Sequence, residues 1–136
     1  MKKLSIIICY MLIGMLLLVG CKKARYEISI QTDRKSYALT SSAIQGIKMS
    51  PELKTNGKGI GIEYYWATTE GSFIGAKDKE LVVGDSVIWS AIADKSSSAP
   101  TTVTITLVAK EKGTGKVLAK TNLIIVGNNA TYTVKN

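Results

Sequence analysis

TTVTITLVAK, residues 101 to 110, sets Val103, Ile105, Leu107 and Ala109 at alternate positions, opposite a row of threonines. Successive side chains of a strand point to opposite faces, so this order builds one apolar face and one wettable face. Valine, isoleucine and threonine are stiff at their first side-chain torsion and suit a pleated surface better than a helix. The segment reads as a long strand, half buried along its length.

The same period of two recurs outward from it. Downstream, Lys112-Gly113-Thr114-Gly115-Lys116 reads as a hairpin tip whose glycines supply positive φ, followed by Val117, Ala119, Thr121, Leu123 and Ile125 in alternation. Upstream, Val87, Trp89 and Ala91 share one face, and Ile60, Ile62, Tyr64 and Trp66 share another. Tyr26-Glu27-Ile28-Ser29-Ile30-Gln31 alternates at the start of this region, and Ser41 to Met49 reads as an irregular strand because Gly46 weakens a helix. Turn chemistry divides the runs at Thr55–Gly59 and Val83–Ser86, and a polar loop runs from Asp94 to Pro100. The ending after Gly127 is expected to fray, the alternative being that Tyr132 and Val134 pair along a sheet edge. Strands at intervals of about 8 to 15 residues, without long helices, predict an all-β fold: a single antiparallel immunoglobulin-like sandwich of about seven strands.

The first twenty residues are of another kind. Met1-Lys2-Lys3 is a short positive start, and Leu4 to Val19 carries no charge. About 16 residues at 1.5 Å each give a helix of roughly 24 Å, short for a hydrocarbon core of about 30 Å. A positive start, an apolar middle and a small residue, Gly20, make the layout of a secretory signal peptide. Leu18-Val19-Gly20-Cys21 resembles the lipobox of bacterial lipoproteins. The resemblance implies a diacylglycerol on the Cys21 sulfur and cleavage before Cys21, which becomes the first mature residue and the lipidation site. The expected division is then a signal peptide over 1–20, a lipidated basic tether over 21–25, a sandwich over 26–127 and a tail over 128–136. Lys22, Lys23 and Arg25 of the tether lie beside anionic headgroups in that arrangement, the alternative and commoner case being a solvated leader.

Charge and composition narrow the function. Lysine plus arginine less aspartate plus glutamate is 18 − 10, a formal +8, and removing Lys2 and Lys3 leaves +6. The cations are scattered, without the basic stripe and interleaved aromatics that nucleic acid requires, so no nucleic acid is expected. An anionic cell-wall polymer or a lipid headgroup suits the sign better, and an envelope protein is a further candidate partner. The chain has no histidine, and its two cysteines are Cys9 and Cys21. The imidazole bases and ordinary zinc sites are thereby removed, and neither metal nor cofactor nor enzymatic activity is expected. Glu63, Glu70, Asp78, Glu80, Asp85, Asp94 and Glu111 are isolated acids, not the convergent pair a glycosidase needs. Gly57-Lys58-Gly59-Ile60-Gly61 precedes a strand rather than a helix, so it does not read as a phosphate loop.

Tyr64-Tyr65-Trp66, Gly71-Ser72-Phe73 and Val87-Ile88-Trp89-Ser90 together resemble bacterial immunoglobulin-like surface domains of the PKD or cadherin-like sort. Where that type carries phenylalanine-glycine-aspartate after its tryptophan, this chain has Ala67-Thr68-Thr69-Glu70-Gly71, and a mature chain starting at Cys21 has no second cysteine for an inter-sheet disulfide. Trp66 and Trp89 are expected in the core. Tyr65 falls on the opposite face with Glu63, the candidate exposed binding surface. The expected role is a lipid-anchored module at the cell membrane, facing outside the cytoplasm, that binds or spaces at the envelope. The alternatives are an accessory or sensory subunit docking on a membrane enzyme or transporter, and a carbohydrate-binding module.

Overall fold

In a computed structural model, residues 23–38, 46–76, 81–91, 102–128 and 131–135 are described. The leading segment, Cys21, Lys22 and the 94–100 loop lie outside them. The central strand, Thr102–Glu111, alternates as its sequence dictates: Val103, Ile105, Leu107 and Ala109 are fully buried. In chain order the strands are β1 (Tyr26–Thr32), β2 (Ser36–Ala38), β3 (Ile47–Thr55), β4 (Ile62–Thr68), β5 (Ser72–Phe73), β6 (Leu81–Val83), β7 (Val87–Ser90), β8 (Thr102–Glu111), β9 (Val117–Asn128) and β10 (Thr131–Lys135). The protein is all-β, in two antiparallel sheets with orders β1-β3-β7-β5 and β2-β10-β9-β8-β4-β6.

Hairpin geometry follows from the glycines at the tip between β8 and β9. Gly113 and Gly115 take φ of 91° and 70°, which side-chain-bearing residues rarely adopt. The Glu111 amide donates to the Lys116 carbonyl at 2.8 Å and the Gly115 amide to the Glu111 carbonyl at 2.9 Å. Pro51 lies in β3 opposite Ile30, beyond the Ile47–Met49 stretch that pairs with β7, so its missing N–H removes no ladder bond on that side.

Between the sheets, Trp66 from β4 and Trp89 from β7 are both fully buried. A buried indole needs an acceptor, and both have one. Trp66 Nε1 donates to the Gly84 carbonyl at 2.8 Å; Trp89 Nε1 donates to the Glu70 carbonyl at 2.9 Å and to Thr68 Oγ1 at 3.1 Å. Tyr37 of β2 and Tyr132 of β10 complete an aromatic cluster on Trp89, with the two tyrosine rings stacked at 5.5 Å. Among the described residues no buried side-chain polar atom lacks a partner.

Gly71 is required by this packing. Its φ is +74°, and a Cβ there would lie 2.6 Å from the Ser90 carbonyl oxygen and 2.8 Å from Trp89 Nε1. Gly71→Ala combines left-handed strain with a clash against backbone. It is expected to destabilise the domain by about 2 kcal/mol or more, read as a lower urea midpoint.

Three expectations change. Ten strands are described rather than about seven, because β2, β5 and β6 are two or three residues long, too short for alternation to mark them. The strand expected from Ile60 begins at Ile62 and runs on to Thr68, with the Lys112 amide still donating to the Gly61 carbonyl just ahead of it. The tail expected to fray is instead β10, paired on both sides by β2 and β9. Burial of Tyr132 and Val134 outweighs the entropy of a loose end.

Candidate functional site

On the outer face of the six-stranded sheet, cross-strand register brings Val83 of β6, Tyr65 of β4 and Val108 of β8 into one row. Glu63 lies opposite Lys110 in the next row. Tyr65 and Glu63 therefore share a face, but both are half-buried rather than exposed. The cause is a local arrangement of three side chains. The Tyr65 hydroxyl donates to Glu63 Oε2 at 3.1 Å, and the Lys110 ammonium stands 4.3 Å from the centre of the Tyr65 ring. A cation over an aromatic face is attracted by the ring quadrupole, so Lys110 occupies the surface on which a sugar would stack.

The hydrogen bond to Glu63, with the charge of that carboxylate, raises the Tyr65 phenol above the ordinary tyrosine value. Because the folded-state pKa is raised, this interaction contributes fully below the unfolded value and is lost as pH rises through the folded one. Glu63→Ala is expected to bring the Tyr65 titration back toward the ordinary value. Tyrosinate absorbance measured against a Tyr65→Phe control checks this.

Other concavities are shallow. One of about 360 Å³ is lined by Lys48, Phe73, Ile74, Val82, Val87 and Ile88, Lys48 being the one charged group among its described lining residues. Another, of about 370 Å³, lies where the chain enters β1, between Tyr26, Ile60, Glu111, Lys116 and Val117. Among the described residues no group of three or more cysteines or acids converges on a point where a metal ion would bind. Asp33 is engaged structurally. Its Oδ1 accepts the Lys48 amide at 2.9 Å and its Oδ2 pairs with Arg34 at 2.9 Å. Partial burial pushes its carboxyl up, but these bonds and the Arg34 charge outweigh that and hold it below the usual aspartate value.

Trp66 and Trp89 lie in the core, away from Tyr65, and Cys21 lies outside the described residues. Sequence reading missed Lys110 as the partner of Tyr65. No local pattern marks it, because the β4–β8 register that sets it opposite Glu63 joins segments far apart in the chain. No protein-family model matches the chain, and neither does any curated protein or solved structure.

Proposed function

We propose that the chain is a surface lipoprotein, held in the cell membrane by lipid on Cys21, whose non-catalytic immunoglobulin-like sandwich binds or spaces at the envelope. The observation that carries this reading is Leu18-Val19-Gly20-Cys21 at the end of a charge-free run, five residues ahead of the first strand. The fold is in keeping with a rigid module. Two antiparallel sheets enclose both tryptophans, every buried polar side-chain atom among the described residues is paired, and the outer tyrosine is already engaged by Glu63 and Lys110. An immunoglobulin-like arrangement is in keeping with two antiparallel sheets, β1, β3, β5 and β7 in one and β2, β4, β6, β8, β9 and β10 in the other. Recognition on such a scaffold falls to loops and exposed strand faces rather than to a deep cleft.

Cys21→Ala is the test. It is expected to abolish labelling by radioactive palmitate and to leave the precursor uncleaved, with its apolar leader retained. Labelling that persists in the variant overturns the anchor.

A further inference from the structure

We infer that the end of the domain from which the chain enters β1 is a lipid-facing basic pole that seats on anionic headgroups and fixes the orientation of the module. The inference rests on the lipid-anchor reading for where the bilayer is, and on the fold for which residues meet it. β1 begins at Tyr26, so a chain leaving Cys21 reaches at most about 17 Å before it joins the sheet. The tether is shorter in effect, because its last residues are docked. The Arg25 amide donates to Asn56 Oδ1 at 2.8 Å, and Ala24 lies so close over Gly57 that a Cβ there would come within 2.9 Å of the Ala24 methyl. From Cys21 to Ala24 the chain can span at most about 10 Å.

Strand directions decide what shares that end. β1 starts there opposite the end of β3, and β4 starts there opposite the end of β8, so the 56–61 loop and the 112–116 hairpin tip flank the tether. Together they bring Lys23, Arg25, Lys54, Lys58, Lys112 and Lys116 to one pole, all exposed, against Glu27 and Glu111, a balance of 6 − 2 = +4. None of the six cations is ion-paired with an acid among the described residues; Arg34 and Asp33 pair at the other end. Val117, 56% exposed, lines the same concavity as Lys23, Ala24 and Lys116 and offers an apolar contact for the headgroup boundary. An anionic surface within one Debye length attracts each such cation, roughly fivefold in partitioning apiece.

The probe is the full chain, purified with its anchor and reconstituted into vesicles of phosphatidylcholine alone or with about one-third phosphatidylglycerol. Lysines are acylated with a water-soluble reagent and located by mass spectrometry. Lys58, Lys112 and Lys116 are expected to label about fivefold less on the anionic vesicles, high salt restoring them, while Lys48 at the far end is unchanged. Equal labelling on both vesicles overturns the inference. The triple variant Lys58→Gln, Lys112→Gln, Lys116→Gln is expected to float with the vesicles in high salt but to lose the protection of Lys54; retained protection counts against the pole. Failure of the anchor reads differently. A chain without lipid leaves every vesicle in high salt, and the pole then shows as low-salt flotation with anionic vesicles alone, its absence overturning the inference.

Discussion

Trp89→Ala is expected to lower the unfolding free energy by about 3–5 kcal/mol, the range for removing a large aromatic side chain from a packed core. Three terms act together at this position. The indole is fully buried, so its removal leaves a cavity between the sheets that the surrounding β-structure can close only in part. Its ring meets Tyr37 and Tyr132 edge-on, at 6.2 and 5.5 Å, and these contacts are lost with it. Its Nε1 bonds the Glu70 carbonyl just before Gly71, so the bend that carries the chain from β4 to β5 loses its tie to the core. Against a total of about 5–15 kcal/mol for a domain, about a fifth or more of the stability is at stake. Urea unfolding at unchanged m-value measures it, and an unfolding free energy within about 0.5 kcal/mol of the parent contradicts the packing described. Trp89→Phe separates the terms: it keeps most of the ring and gives up the hydrogen bonds, and it is expected to cost about 1–3 kcal/mol. Trp66→Ala belongs to the same class, since that indole is also fully buried and bonded to the Gly84 carbonyl.

What the sequence makes legible follows the length of each pattern. Val103 to Ala109 alternate over enough residues that the inward face of β8 is readable from identity alone, and the phase of Trp66 and Trp89 places them inside by the same rule. The glycines at 113 and 115 announce the hairpin because few other residues accept their φ. A two-residue strand such as β5 has no period to read, and its existence depends on Ser72 and Phe73 finding Ser90 and Trp89 across the sheet. The site divides the same way. Glu63 and Tyr65 share a face because they are two apart, yet only pairing with β8 brings Lys110 over the ring. The basic pole draws on residues 23–25, 54–58 and 112–116, segments far apart in the chain, so no local window contains it. Cys21 is the reverse case, since a resemblance of four residues carries it and no packing is involved.

The C-terminal strand yields the other large effect. A chain ended after Asn128 is expected to lose its cooperative thermal transition altogether, because β10 lies inside its sheet rather than at the edge. Its Thr131–Thr133 pairs with Ala38–Ser36, and its Thr131–Lys135 pairs with Asn128–Ile124. Without it β2 has no strand partner, and Tyr37 loses the ring on which it stacks. The loss spreads to the other sheet, since the Ala91 amide donates to the Tyr37 hydroxyl at 2.8 Å. Burial of Tyr132, about 3–5 kcal/mol by analogy with other large aromatics, and of Val134, about 1.5–3 kcal/mol, together approach the whole stability of a small domain. Near-ultraviolet circular dichroism and a calorimetric melt test it; a sharp transition in the shortened chain means β10 is a docked appendage. Tyr132→Ala provides the graded version, expected to leave a folded but weakened domain, so that truncation and point variant together separate loss of one ring from loss of the strand. The fold then depends on a segment that adds only two apolar side chains to the core, because one of them, Tyr132, packs on both Trp89 and Tyr37 and so ties β2 to the cluster between the sheets.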